Sequence, residues 1–567
     1  MTMTCRPGLL GICVLAGLAT AQAGQQPVYV LLYTHIDDHV HLDISGDRLQ
    51  RTLALLEKYR VAAPDAHVSA VVQFSGAMAQ AIEEGKLKSV PVIVVRAAAQ
   101  RRTIEIGYRA ADEPTHKSRG TLGFRGTKSA EEWWGGRSDA ASRLLMGAKE
   151  PLTGVGLSGS GGLQKTVEVF GTVSCVGEWG REVGADTEFV HQVRRLKLSP
   201  LGFGLPEPAP IRLLHGYRDA ARTFGALMSP EPDSAPELFW QDGILRLSET
   251  SDRNVRVVHG YEGLEAFKKV VGELDRSKTH VLRVELSAQE LYLQPEYAKG
   301  FLFPPVRFAY DHPDRPQLPP EALRTQKDID EAYAREDALV GWLAGDFSRV
   351  NPGSRTVSAS DLIEMASTGE ALNLSRAELT AGAEDLLERW KADIVPPNYA
   401  RAGNHYFSLA DMFQLLATAL SQMHRRDRLA TTVAVRTVYG PDEMPAESGP
   451  NEGQVSIAAV ARASALLSDR LNDQRWAVKP QNVVPAWVAV DGQRLNAAQF
   501  LRLMAQALIA PSPAGKLQVK MCNMFAPSGE MFPISGSRSD QGATWTLKPA
   551  VFQPVARDGG VSKQVNP

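Results

Sequence analysis

The chain has 567 residues, with 62 basic against 64 acidic side chains, a net charge of −2, 44% apolar residues and 22% charged ones. This is an ordinary globular composition, long enough for about three domains and without the polar bias of a disordered chain. A dominant nucleic-acid or membrane-surface role would leave a basic excess, and none is present.

Residues 1–23 read as a secretory signal peptide. Arg6 is followed by an apolar stretch from Leu9 to Leu18 and then by Ala21-Gln22-Ala23, an A-x-A cleavage pattern. The apolar stretch is too short to span a bilayer, which needs about 20 residues, and no later stretch qualifies. The expected location is therefore periplasmic, extracellular or attached to the cell wall. Cleavage leaves Cys175 and Cys522, too few for a disulfide framework, and the lack of a C-x-x-C pair excludes a thiolate zinc site.

The mature chain opens on a β-prone run, Val28 to Tyr33, followed by a helix that Ser45 is expected to cap, with Leu49, Leu53, Leu56 and Tyr59 on one face. A strand at Val68–Phe74 and a helix near Ala77–Glu84 come next, then strand-like runs at Pro91–Val95 and Thr103–Tyr108. Further strand-like runs at Thr166–Val173, Ile244–Leu247, Val255–Val258 and His280–Leu286 would extend a parallel α/β sheet, closing it as a barrel.

The segment after the first strand carries the densest chemistry. Between Thr34 and Asp43 lie His35, His39 and His41 together with Asp37, Asp38 and Asp43. They sit at the carboxyl end of a parallel strand, where α/β folds place ligands and catalysis. Imidazoles with carboxylates suit a divalent metal such as zinc, whose bound water is a nucleophile near neutral pH.

The strand followed by Thr34-His35-Ile36-Asp37-Asp38 resembles the first motif of the polysaccharide deacetylases, T-F-D-D. The resemblance implies Asp37 as catalytic base and Asp38 as a metal ligand, in a (β/α)7 barrel. The family's second motif, E-I-G-x-H-x-x-x-H, is matched at Glu105-Ile106-Gly107 but not at its histidines, where Arg109 and Glu113 stand instead, with His116 three residues further on. An arginine has no lone pair for a metal. Either His35, His39, His41, Glu113 or His116 rebuilds a metal site, or the barrel has lost its metal and binds saccharide without cleaving it. His215 and His259 occur in His-Gly-Tyr contexts that fit turns. Trp133 and Trp134, beside two glycines in a long loop, form a candidate sugar platform, since exposed rings stack on sugars.

Beyond a proline-rich stretch at 304–320, a helix over about 327–344 links to an internal repeat. Residues 397–420 and 485–508 each carry Pro, then Tyr399 or Trp487, a short turn, a Ser408 or Asn496 cap, and a helix whose apolar positions correspond. Gln414 falls on the exposed face of the first of these helices. The repeat resembles the pseudomurein-binding repeat of cell-wall proteins, which implies polymer binding through Tyr399, Trp487 and the turns beside them.

The expected architecture is a deacetylase-like (β/α)7 barrel over 24–320, a linker helix over 321–352, helical repeat units over 353–425 and 426–515, and a β-like tail over 516–567. The expected function is metal-assisted deacetylation or hydrolysis of a cell-envelope polysaccharide by an exported protein with wall-binding repeats. The competing reading is a non-catalytic carbohydrate-binding or surface-organising protein on a degenerate barrel.

Overall fold

The computed structural model describes residues 25–36, 41–109, 257–295, 320–367, 399–426, 452–473, 482–510 and 545–552 in continuous runs, with shorter runs within 166–177, 213–248, 372–397, 432–450 and 512–524. β1 (Val28–Ile36) is apolar almost throughout because both of its faces are covered. Around it lie β2 (Ala70–Phe74), β3 (Ile104–Arg109), β4 (Cys175–Gly177), β5 (Leu213–Tyr217), β6 (Leu238–Gln241), β7 (Ile244–Ser248), β8 (Val257–His259), β9 (His280–Glu285) and β10 (Arg355–Thr356).

These strands form one sheet in the order β8-β9-β1-β2-β3-β4-β5-β7-β6, with β10 beside β1. Pairing is parallel except between β6 and β7. A closed barrel would join the two edges of this sheet, β8 and the β6 side, and no such ladder occurs among the described residues. The fold shown is mixed α/β on a parallel sheet.

Two of the expected strands are helical. Val92–Gln100 is a helix: Arg-Ala-Ala-Ala-Gln favours helix strongly enough to override the β-branched start, and Val95 and Ala98 are buried while Ile93 is 71% exposed. Thr166 and Glu168–Phe170 are helical as well. The first helix, α1 (Leu42–Ala62), starts ahead of Ser45, which is buried inside it and does not cap it.

α1, α2 (Gly76–Glu83), α3 (Val92–Gln100), α4 (Leu264–Gly272) and α5 (Gln326–Gly345) cover one face of the sheet. Leu49 and Leu56 of α1 and Leu339, Val340 and Leu343 of α5 share a core with Val28, Val30 and Leu32. The expected linker helix is thus part of the α/β layer. Tyr59 donates to the Asp337 carbonyl at 3.0 Å, fixing α5 against α1. On the opposite face, α6 (Ala359–Met365) packs Leu362 and Met365 against Tyr29, Leu31 and Val281.

The remaining chain holds two copies of one unit. The first is β12 (Asn373–Ser375), α7 (Arg376–Arg389), the hairpin β13 (Tyr399–Ala402) and β14 (His405–Ser408), α8 (Leu409–Arg426) and β15 (Thr432–Ala434). The short β11 (Ala366–Ser367) precedes it. The second is β16 (Glu452–Ser456), α9 (Ile457–Leu471), the hairpin β17 (Trp487–Val490) and β18 (Gln493–Asn496), α10 (Ala497–Ile509) and β19 (Lys516–Lys520). In each unit the first and last strands pair antiparallel. The hairpin registers correspond, Tyr399 with Ser408 and Trp487 with Asn496. β19 lies beyond residue 515, so the second unit reaches into the expected tail.

Both helices after the hairpins begin with a reciprocal capping box, Ser408 with Asp411 and Asn496 with Gln499. The two units share one apolar core, in which the rings of Phe413 and Phe500 lie 5.8 Å apart. Gln414 is buried between the units, contrary to its expected exposure: its amide donates to Asn472 Oδ1 at 2.9 Å and to the Ala434 carbonyl at 3.2 Å. The chain then returns: Trp545 is buried in the same core, and β20 (Lys548–Pro549) adds antiparallel to β6 at the edge of the sheet.

Candidate functional site

Parallel pairing decides which side chains share a face. Tyr33 pairs with Glu285, Glu285 with His259, and His35 with Gln73. His259, Glu285, Tyr33, His35 and Gln73 therefore gather on one face at the carboxyl edge of β8, β9, β1 and β2. Of the residues expected in the site, His35 is placed here. Its ring meets Tyr33 edge-on at 5.0 Å.

The sequence reads His259 as a turn histidine and does not single out Glu285. His259 Nδ1 lies 3.3 Å from Glu285 Oε2, and the imidazole stacks on Tyr261 at 5.2 Å and 17°. Burial by itself lowers the imidazole pKa, but Glu285, with Glu290 and Glu262 further out, outweighs it, so His259 titrates above its ordinary value. Tyr261 is pushed up to about 12, first by burial and then by the same carboxylates, and stays a hydrogen-bond donor at neutral pH. No local motif signals this pair, because the β8–β9 register alone joins two residues far apart in sequence.

The strand ends are tied from behind. Arg48, fully buried on α1, donates from Nη2 to the His35 carbonyl at 2.7 Å and from Nε to the Ser287 carbonyl at 2.6 Å. One guanidinium thereby fixes the chain leaving β1 to the chain leaving β9, using the planar fork that suits arginine to two acceptors.

The other expected residues fall elsewhere. His41 sits at the amino end of α1, where its carbonyl accepts from Ser45 N–H at 3.0 Å. Glu105 is four residues before the end of β3, roughly 13 Å along the strand. Its carboxylate accepts from the Ala359 and Ser360 N–H groups at 2.8 and 3.2 Å, capping α6 instead of facing His35. Burial raises its pKa against those donors. Arg109 ends β3, paired with Gly177 of β4. Asp37, Asp38, His39, Glu113, His116, Trp133 and Trp134 lie outside the described residues. Among the described residues, no group of three or more His, Cys, Asp or Glu side chains is placed to hold a metal ion. Cys522 is a free, buried thiol.

Tyr399 and Trp487 occupy the same place in their two hairpins, and each is half-buried beneath an arginine. Arg389 lies 4.7 Å from the Tyr399 ring centre and Arg494 4.3 Å from that of Trp487. Tyr406, the counterpart of Arg494, meets Tyr399 edge-on at 5.1 Å.

No protein family and no curated protein matches the chain. Two solved structures share limited similarity with it. A 4-alpha-glucanotransferase from Thermococcus litoralis is 12% identical with a TM-score of 0.32, covering 65% of this chain and 46% of its own. An alpha-mannosidase from Enterococcus faecalis V583 is 10% identical with a TM-score of 0.28, covering 71% of this chain and 36% of its own. This chain spans less than half the length of either, and likeness at this level carries no argument. Among the described residues, no helix is long and apolar enough to cross a membrane.

Proposed function

We propose that the chain is an exported cell-envelope protein that hydrolyses or deacetylates a polysaccharide, using His259 and Glu285 to move the proton. The observation that supports this reading most is the placing of His35, Glu285 and His259 on one face at the carboxyl edge of a parallel sheet, directly before the His- and Asp-rich segment 37–43. Glu285 holds the imidazole by Nδ1, and Nε2 exchanges a proton with the leaving group or the attacking water. Tyr261 donates a hydrogen bond toward charge developing beside the imidazole.

The resemblance to polysaccharide deacetylases supports Asp37 as base and Asp38 as ligand of a zinc ion. The described residues do not by themselves compose a metal site. The two hairpins, with Tyr399 and Trp487, are assigned to holding the polymer, as the likeness to wall-binding repeats implies.

The test is acetate release and new reducing ends from envelope polysaccharides, with the wild-type chain against His259→Ala and Glu285→Gln. Loss of turnover by about 10²-fold or more in both variants is expected. Turnover undiminished in both would remove the pair from the mechanism. Polymer retention with no product from any substrate would leave the protein as a binding module.

A further inference from the structure

Glu336 projects from α5, fully buried, against the chain that leaves β8 and β9. Its Oε2 accepts from the Ser287 N–H at 2.9 Å, and its Oε1 lies 3.4 Å from Ser287 Oγ. Ser287, two residues after Glu285, has φ +49°, a left-handed conformation that strains a non-glycine residue and persists only when its surroundings impose it. Three contacts impose it here: Glu336 on its N–H, Arg48 on its carbonyl, and Thr52 Oγ1 donating to its hydroxyl at 2.8 Å.

The same carboxylate abuts Gly260, the residue after His259. A Cβ built there would stand 2.5 Å from Glu336 Oε2, so a glycine is required for the approach. Glu336 thus touches the residue following His259 and the turn following Glu285.

We propose that Glu336 is a positioning residue that sets the register of His259 against Glu285 by holding Gly260 and Ser287 together. The groups facing it are Arg48 from α1, Glu285 and Ser287 from the β9 end, and Tyr333 from its own helix. Glu336 hydrogen-bonds to Ser287 and abuts Gly260, the neighbours of the pair in the chain. The inference rests on reading His259 and Glu285 as the proton-handling pair.

The experiment follows the His259 imidazole by NMR titration in the full chain, since its raised midpoint depends on the nearby Glu285 carboxylate. Glu336→Ala and Gly260→Ala are each expected to lower that midpoint by about half a unit or more, as the pair moves apart. Glu336→Gln, which keeps an acceptor for the Ser287 N–H, is expected to retain the wild-type midpoint. In turnover, Glu336→Ala should lower kcat with KM nearly unchanged. If Glu336→Ala does not fold, Gly260→Ala reads the same midpoint, and an unchanged midpoint in either folded variant overturns the proposal. Coupling intact in a chain that turns over no polysaccharide would defeat the proposed function while leaving the positioning role standing.

Discussion

Lys548 Nζ lies 2.7 Å from Asp411 Oδ2, across 137 residues of sequence, with the two side chains only 9% and 10% exposed. The contact joins the returning C-terminal strand to the capping box of α8. Removing one member of a buried pair strands the other charge, at a cost of about 3–5 kcal/mol. Lys548→Met is therefore expected to lower the unfolding free energy by about that amount in denaturant titrations. Asp411→Asn combined with Lys548→Met should cost clearly less than Lys548→Met alone. Equal losses in the single and double variants would show that the pair's charge is not what matters.

Stability should also depend on pH through Glu336. Burial, opposed by the Ser287 donors, pushes its pKa up to about 7, above its unfolded value. Its contribution is complete below the unfolded pKa near 4.5 and lost as pH rises through about 7, at most of order 3 kcal/mol. His259, also raised, contributes in the same direction. Unfolding midpoints measured from pH 4.5 to 8 should fall, and Glu336→Gln should flatten much of that slope. A wild-type profile that is flat or rising over this window would contradict the assignment.

Polymer retention is tested best in the intact chain. Tyr399→Ala and Trp487→Ala should each weaken co-sedimentation with isolated envelope polysaccharide, and the double variant should lose about 10²-fold or more, because two sites on one chain bind with avidity. Leu466→Gln, at a position 83% exposed on α9, serves as the control. Retention surviving in the double variant would move the binding surface away from the hairpins.

Gln414→Ala should be destabilising by about 2 kcal/mol, since it takes a partner from the part-buried Arg436 N–H, Ala434 carbonyl and Asn472 Oδ1. Thermal unfolding reads this directly. A change within about 0.5 kcal/mol would mean that the network is dispensable.

Gln414 also shows where sequence reading stops. Helical spacing places a polar residue on the outer face, and only a second unit packed there reverses its environment. The strands β1 and β2 were legible because their largely apolar runs are buried on both faces, β3 because Ile104, Ile106 and Tyr108 alternate along it, and the hairpin-and-helix repeat because its apolar positions recur. Val92–Gln100 misled because its β-branched start outweighs, to the eye, the alanines that follow. Within the site, His35 was legible as part of a dense cluster. His259, Glu285 and Glu336 were not, since each acquires its neighbours only through strand register and the return of α5.

The common core of the two units bears on how the C-terminal half came to be. Phe413 and Phe500 face one another from different copies, and Gln414 bonds to Asn472 across the divide. A forebear with one copy would have met the same apolar face bare, and its natural cover is a second molecule of itself. Duplication within one gene then brings both faces into one chain, whose halves are free to diverge, as Tyr406 and Arg494 have done beside their aromatic partners. A peptide of residues 372–436 made alone is accordingly expected to sediment as a dimer or larger. Sedimentation as a folded monomer would count against that history.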